Sequence, residues 1–141
     1  MIAEPDLGSL ASDLREVLGQ IVRRLRAESA FPFAQGAVLK RLDLEGTSSI
    51  GQLAVAERVR PQSMAQTVAD LEAAGMISRR PDPTDGRRSL VELTEHGRET
   101  LAADRRNRLG WLAQAIESEL TEAERRRLGR TIDLLRRLAE H

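Results

Sequence analysis

The sequence contains no cysteine and no tyrosine, and its 141 residues include only two phenylalanines and one tryptophan. The absence of cysteine excludes disulfides, thiolate metal sites and thiol-based redox sensing or catalysis. Three aromatic residues are too few for a stacking platform that binds single-stranded nucleic acid. The histidines, His96 and His141, are far apart in the sequence. A metal site would depend on carboxylates alone, so we expect neither a metal nor a cofactor.

Long apolar runs are also missing. No run approaches the roughly 18 residues that a membrane helix needs. The first ten residues have no basic stretch followed by an apolar stretch, which a secretory signal requires. We therefore expect a cytoplasmic protein that makes no contact with a membrane.

The net charge is zero, from 22 basic and 22 acidic residues, whereas a typical nucleic-acid-binding domain is basic. Lys40 is the only lysine, so 21 of the 22 basic residues (22 − 1) are arginines. Arginine is the side chain that forks onto phosphates and guanine edges. The base composition of the genome would explain this bias equally well, so it does not decide between partners.

Apolar residues at intervals of three and four predict helices at both ends of the chain. The first covers residues 6–26, and Asp6 is its predicted N-cap. A second begins with Pro32 at its first helical position. Thr94 caps a long helix towards the end of the chain, and Thr121 forms a capping box with Glu124 at the start of the last helix.

The centre of the sequence predicts two helices joined by a tight turn. Ser49 and Gln52 form a capping box that begins a short helix. Pro61 restricts the residue before it and lacks an N–H, so the turn falls at residues 58–60 and a new helix begins at Pro61. Gly75 ends that helix. The arrangement is a helix-turn-helix.

After Gly75 the apolar period changes from helical to alternating. Residues 76–80 and 89–94 predict two strands, and residues 81–86 consist of turn-forming types. The tip of this hairpin carries Arg87 and Arg88. We therefore predict a mainly α fold with a small β-hairpin, a winged helix-turn-helix.

This arrangement is suited to duplex DNA, because a helix fits the major groove and a basic hairpin tip can reach the minor groove. On the helix after the turn, Met64, Val68 and Leu71 must face inward, which leaves the polar side chains outside. Glutamine can pair with adenine and serine with several base edges or a phosphate. The predicted contacts of this helix are Arg60, Gln62, Ser63 and Gln66. Such a polar face is also common on solvated helices.

On the hairpin, Asp85 precedes Arg87 by two residues, close enough to hold the Arg87 guanidinium by charge-assisted hydrogen bonds. The same residues also suit a plain hydrophilic turn.

The stretch over residues 53–97 resembles the DNA-binding core of the MarR (multiple antibiotic resistance regulator) family. Asp82, Asp85 and Arg87 match the family's DxRDxR wing pattern, and Thr84 stands in place of its central arginine. The resemblance also covers LEAAGMISR at the end of the recognition helix, and the order and length of the flanking helices. Ala65 departs from it, because the family often has a polar contact residue there.

The resemblance implies a homodimeric transcriptional regulator, whose recognition helices enter successive major grooves of a pseudo-palindrome. Arg87 would enter the minor groove with Asp85 as its orienter, and Arg88 would contact a phosphate. Within a single domain of residues 1–141, segments 1–30 and 98–141 would form the dimer and residues 31–97 the DNA-binding lobe. The predicted dimer contacts are Leu7, Leu10, Leu14, Leu128, Ile132 and Leu135.

The family often senses small phenolic or lipophilic ligands, which implies a repressor that is released by such an effector. The candidate ligand contacts are Phe31, Phe33, Gln35 and Trp111. Simple packing is the alternative role for each of these residues, because aromatic side chains usually belong to a core.

A winged helix that binds another protein, without sequence-specific DNA binding, is the main alternative function. Residues 51–91 contain six arginines and five acidic residues, so even this lobe is barely basic. We do not expect an enzyme, because there is no glycine-rich phosphate loop, no HExxH motif and no catalytic Ser/His/Asp set.

Overall fold

The structure, a computed structural model, describes residues 3–141. Met1 and Ile2, which belong to the predicted segment 1–30 and domain 1–141, lie outside the described residues. The elements follow the order α1 (Leu7–Ala27), α2 (Phe33–Glu45), β1 (Ser48–Ser49), α3 (Ile50–Glu57), α4 (Pro61–Ala73), β2 (Ile77–Pro81), β3 (Ser89–Leu93), α5 (Glu95–Glu119) and α6 (Glu122–Ala139). The predicted fold class, a mainly α winged helix-turn-helix, is confirmed.

Side-chain caps begin the helices where the sequence predicts them. Asp6 accepts a hydrogen bond from the Ser9 backbone N–H at 2.9 Å and caps α1. The capping boxes at Ser49 and Thr121 both form, at the starts of α3 and α6. Pro32 is the exception, because its ψ of 148° is extended and makes it the N-cap of α2 rather than its first helical residue.

The sheet has three strands in the order β1-β3-β2, all antiparallel, where the sequence predicted a two-stranded hairpin. The additional strand is β1, which pairs Ser48 with Val91 and Ser49 with Leu90. The prediction treated residues 47–49 only as a break between helices. The strand β1 forms because the backbone just before α3 is extended and pairs with β3.

The described residues form two compact units. We call residues 29–106 the wing unit, and residues 3–28 with 107–141 the terminal unit; α5 runs from one into the other. The hydrophobic core lies in the wing unit, where Leu39, Leu53, Leu71, Val38, Val68 and Val91 are fully buried. Among residues 3–141, no helix combines the length and apolar composition needed to cross a membrane.

Two further contacts fix the framework of the wing unit. Thr94 accepts from the Gly97 backbone N–H at 3.0 Å and caps α5 as predicted, and its own N–H donates to the Met76 carbonyl at 3.0 Å. This approach is so close that a Cβ at Gly97 would overlap the Met76 carbonyl. Asp104 of α5 is buried and accepts from the Ala30 N–H at 2.7 Å and from the Ser29 hydroxyl at 3.0 Å.

Candidate DNA-binding site

The turn between α3 and α4 brings the two helices into a helix-turn-helix. α3 ends at Glu57. Its C-cap, Arg58, adopts left-handed backbone angles of φ 56° and ψ 44° and is the one non-glycine residue with positive φ in the described chain. The Val59 N–H donates back to the Ala54 carbonyl at 3.0 Å, which closes the turn. Arg60 is the N-cap of α4 and Pro61 its first residue, as predicted. The Arg60 side chain is exposed directly before the helix N-terminus.

α4 has one buried face and one polar face. Met64, Val68 and Leu71 are buried in the core of the wing unit, which confirms that they face inward. The predicted contact residues Gln62, Ser63 and Gln66 are all exposed on the remaining surface. This face therefore presents amide and hydroxyl groups in the first turns of the helix.

The Gln66 side chain is oriented by a neighbour one turn further along α4. Its Nε2 donates to the Asp70 carboxylate at 2.9 Å. A side-chain amide has two donor hydrogens and an acceptor oxygen. The second hydrogen and the Oε1 atom are therefore left to bind adenine N7 and N6, as a bidentate glutamine contact requires.

The wing consists of β2 and β3 with a closed tip between them. β2 and β3 pair from Ile77↔Leu93 to Pro81↔Ser89, and the Asp82 N–H donates to the Arg88 carbonyl at 2.9 Å. The Asp82 carboxylate accepts from the Thr84 N–H at 2.8 Å and from its hydroxyl at 2.7 Å. These bonds hold the pKa of Asp82 below its ordinary value of 3.8.

Asp85 orients Arg87 differently from the prediction. Its carboxylate accepts from the backbone N–H of Arg87 at 3.1 Å, so the expected bond to the guanidinium is wrong. An aspartate two residues before an N–H has the spacing of an Asx turn, and this local backbone bond forms instead. The Arg87 side chain is exposed, and its guanidinium has no hydrogen-bond or ion-pair partner within residues 3–141. It is therefore available to an external acceptor.

Arg88 is exposed at the wing tip, but its guanidinium binds the residue that begins α3. Its Nη2 donates to the Ser49 hydroxyl at 3.1 Å, although Ser49 is 39 residues away. An open groove of about 810 Å³ lies between the wing and the first turns of α3, and Arg87, Arg88 and Ser89 line its wing side. Sequence reasoning missed this contact, since nothing local links Ser49 to the wing. This bond uses only Nη2 of the Arg88 guanidinium.

The predicted ligand residues are divided between the two units. Phe31 is half-buried against the core of the wing unit, Phe33 is 67% exposed, and Gln35 is half-buried. Trp111 belongs to the terminal unit, where the Arg24 guanidinium lies 4.9 Å from its ring centroid in a cation–π contact.

The predicted dimer residues all lie in the terminal unit, on α1 and α6. Leu7 is 80% exposed, and Leu10 and Ile132 are also exposed. Leu14, Leu128 and Leu135 are half-buried. Neither α1 nor α6 has a buried residue among those described. Their apolar stripes are therefore largely uncovered within one copy of the chain.

A helix-turn-helix followed by a basic β-wing defines the winged helix-turn-helix class of DNA-binding proteins. Residues 31–88 match the sequence profile of the MarR family. Mb0904, an HTH-type transcriptional regulator of Mycobacterium bovis, is 39% identical over 134 residues, which cover 93% of this chain and 93% of the relative. The chain belongs to the MarR family and is a transcriptional regulator.

Two solved structures resemble the chain over nearly its whole length. A Pseudomonas aeruginosa protein described as a transcriptional regulator is 34% identical, with a TM-score of 0.79 over 94% of each chain. PcaV, a transcriptional regulator of Streptomyces coelicolor solved in complex with its natural ligand, is 25% identical, with a TM-score of 0.57 over 99% of this chain and 98% of PcaV.

Proposed function

We propose that this MarR-family regulator acts in the cytoplasm as a homodimeric repressor that binds a pseudo-palindromic site in double-stranded DNA. α4 of each copy enters a major groove, and the wing follows the adjacent minor groove. One observation carries the proposal. The wing unit contains both the exposed polar face of α4 and the Arg87 guanidinium, which has no partner within residues 3–141.

The contacts divide into two kinds. Gln66, with its amide oriented by Asp70, and Ser63 provide hydrogen bonds to base edges, while Arg60 at the start of α4 provides a phosphate contact. Arg87 provides a cation for the minor groove, whose negative potential attracts arginine. Because the net charge is zero, affinity depends on where these few side chains lie and not on a basic surface.

The dimer is supported by the apolar faces of α1 and α6. Leu7, Leu10 and Ile132 are exposed in the single chain, and exposed apolar stripes of this kind are typical of interfaces between subunits. A two-fold dimer repeats the wing unit, which matches a two-fold symmetric DNA site with half-sites about one helical turn apart.

The effector is a small aromatic or lipophilic molecule, and its contacts include Phe31, Phe33, Gln35 and Trp111. PcaV, a regulator of the same fold, has been solved with its natural ligand. Phe33 is 67% exposed, so a ligand from solvent can reach its ring.

The test is a fluorescence anisotropy titration of purified protein with labelled duplexes that tile the region upstream of its own gene. Titrations between roughly 50 and 200 mM salt give the number of phosphate contacts from the slope of log K against log[salt]. We expect one duplex to bind at least about a thousandfold more tightly than a shuffled duplex of the same composition. Small aromatic acids and lipophilic compounds are then screened for release of that duplex.

The alternative, a winged helix that binds a protein partner, predicts a different result. Under that alternative no duplex binds more tightly than its shuffled control, even at the lowest salt concentration. This outcome would overturn the proposed function, whereas release by no tested compound would overturn only the effector class.

A further inference from the structure

The Arg88 side chain links the wing to the beginning of the helix-turn-helix. Its Nη2 donates to the Ser49 hydroxyl at 3.1 Å, and Ser49 is only 3% exposed. A hydrogen bond from a charged donor to a nearly buried acceptor is stronger than a neutral one. Arg88 therefore differs from the neighbouring Arg87, whose guanidinium has no hydrogen-bond or ion-pair partner within residues 3–141.

Ser49 is a junction of three elements. Its hydroxyl oxygen also accepts from the Gln52 N–H at 3.1 Å and caps α3. Its backbone belongs to β1 and pairs with Leu90 of β3. Since a hydroxyl oxygen has two acceptor lone pairs, the cap and the Arg88 guanidinium fill both. Arg88 thus binds a side chain that is itself fixed by the sheet and by α3.

The backbone of Arg88 closes the wing tip at the same time. Its carbonyl accepts from the Asp82 N–H at 2.9 Å, and its N–H donates to the Asp85 carbonyl at 3.0 Å. Arg87 directly precedes this closed position, so its direction depends on the direction of the wing tip. A fixed Arg88 therefore fixes where Arg87 emerges.

We propose that Arg88 is a positioning residue, which ties the wing to the N-cap of α3 through Ser49 and thereby aims Arg87, and that it does not itself contact DNA. The inference rests on the proposed function. A wing held at one angle loses less conformational freedom when DNA binds, so the tie raises affinity without adding a contact to a phosphate.

A double-mutant cycle measured on the specific duplex tests this role. We expect Arg88→Ala to weaken binding about threefold to tenfold, because the wing must be ordered on binding. Arg87→Ala/Arg88→Ala should bind within about twofold of Arg87→Ala alone, since an aiming residue has no effect once its target is removed. If the loss of affinity in the double variant equals the product of the two single losses, the proposal is overturned, because independent contacts are additive in free energy.

Arg88→Lys keeps the positive charge but removes the guanidinium group, so it distinguishes the role of the charge from that of the guanidinium. A phosphate contact tolerates an ammonium group, whereas the shorter lysine does not extend as far as the Nη2 atom that binds Ser49. We expect Arg88→Lys to bind as weakly as Arg88→Ala. Binding at the wild-type level, with the wild-type salt slope, would overturn the proposal.

Amide hydrogen exchange of the protein without DNA tests whether the Arg88–Ser49 hydrogen bond holds the wing in place. We expect Arg88→Ala and Ser49→Ala to accelerate exchange of the Asp82 and Arg88 amides. Gln52→Ala is the matched control, because it removes the capping glutamine, keeps the Ser49 hydroxyl and should leave the wing amides protected. Unchanged exchange in Arg88→Ala would overturn the tie. If wild-type protein binds no specific duplex while these amides still respond, the proposed function fails and the tie stands.

Discussion

The wing unit and the terminal unit are built from similar amounts of helix but bury their apolar residues very differently. The wing unit contains every buried apolar side chain among residues 3–141, from Val38 in α2 to Leu101 in α5. The terminal unit has no buried residue in that range, although α1 and α6 carry clear apolar stripes. The wing unit therefore has a core of its own, whereas the apolar stripes of α1 and α6 are uncovered in the single chain and would be covered in the proposed dimer.

The largest expected difference between the two units is in the free energy of unfolding after the same glycine-to-alanine substitution in each. We expect Gly97→Ala to destabilise the wing unit by about 3 kcal/mol, because its Cβ would overlap the Met76 carbonyl and neither backbone can retreat. Gly110→Ala, in the terminal part of α5, has nothing within 4 Å of its Cβ and should stabilise by about 0.5–1 kcal/mol. Chemical denaturation measures both changes. A stability loss in Gly110→Ala would reveal a covering surface there.

The units also differ in how much of them could be predicted. The helices and their caps follow from local signals such as Ser49 with Gln52 and Thr121 with Glu124, which lie three residues apart. The strand β1 could not be predicted, because two serines have no apolar alternation and their partners lie about 40 residues away. The side-chain directions at the wing tip could not be predicted either. Sequence distance cannot decide whether Asp85 bonds the backbone or the guanidinium of Arg87.

A charge on the uncovered face of the terminal unit should break the proposed dimer. We expect Leu10→Glu to cost on the order of 2 kcal/mol of association free energy, since a carboxylate would be buried against apolar side chains of the second copy. Leu44→Glu is the matched control, because Leu44 is 71% exposed on α2 of the wing unit. Sedimentation velocity should give a dimer for the control and a monomer–dimer mixture for Leu10→Glu. Equal association in both variants would contradict the assignment of this face.

Removing the unpartnered cation of the wing should affect DNA and not folding. We expect Arg87→Ala to weaken binding of the specific duplex by about 1–3 kcal/mol while the dimer and the unfolding midpoint stay unchanged. Arg130→Ala removes an exposed arginine from α6 in the terminal unit and should leave binding at the wild-type level. If both variants bind alike, Arg87 has no role in the minor groove.

A change on the polar face of α4 should alter preference more than affinity. We expect Gln66→Ala to relax discrimination at one base pair in each half-site by about 1 kcal/mol and to leave the salt slope unchanged, because an amide neutralises no phosphate. Titrations against duplexes with single base changes measure the effect. An equal loss on every sequence would mean that Gln66 contacts no base.

The smallest expected effect concerns two carboxyl groups with a lowered pKa, one in each unit. Hydrogen bonds from Thr84 lower the pKa of Asp82 at the wing tip from 3.8, and those from Thr121 lower the pKa of Glu124 at the start of α6 from 4.5. A lowered pKa in the folded state means that each carboxylate stabilises its element fully above these ordinary values. That contribution is lost as the pH falls through the lower folded pKa, so both elements keep it at neutral pH.

Carboxyl chemical shifts followed by NMR should therefore titrate below 3.8 for Asp82 and below 4.5 for Glu124. Asp82→Asn should loosen the wing tip already at neutral pH, with faster exchange of the Thr84 amide, because a neutral amide oxygen is a weaker acceptor than a carboxylate. Glu124→Gln should loosen only the first turn of α6. A midpoint for Asp82 at or above its ordinary value would mean that the wing tip is open in solution, and Arg87 would then have no fixed direction.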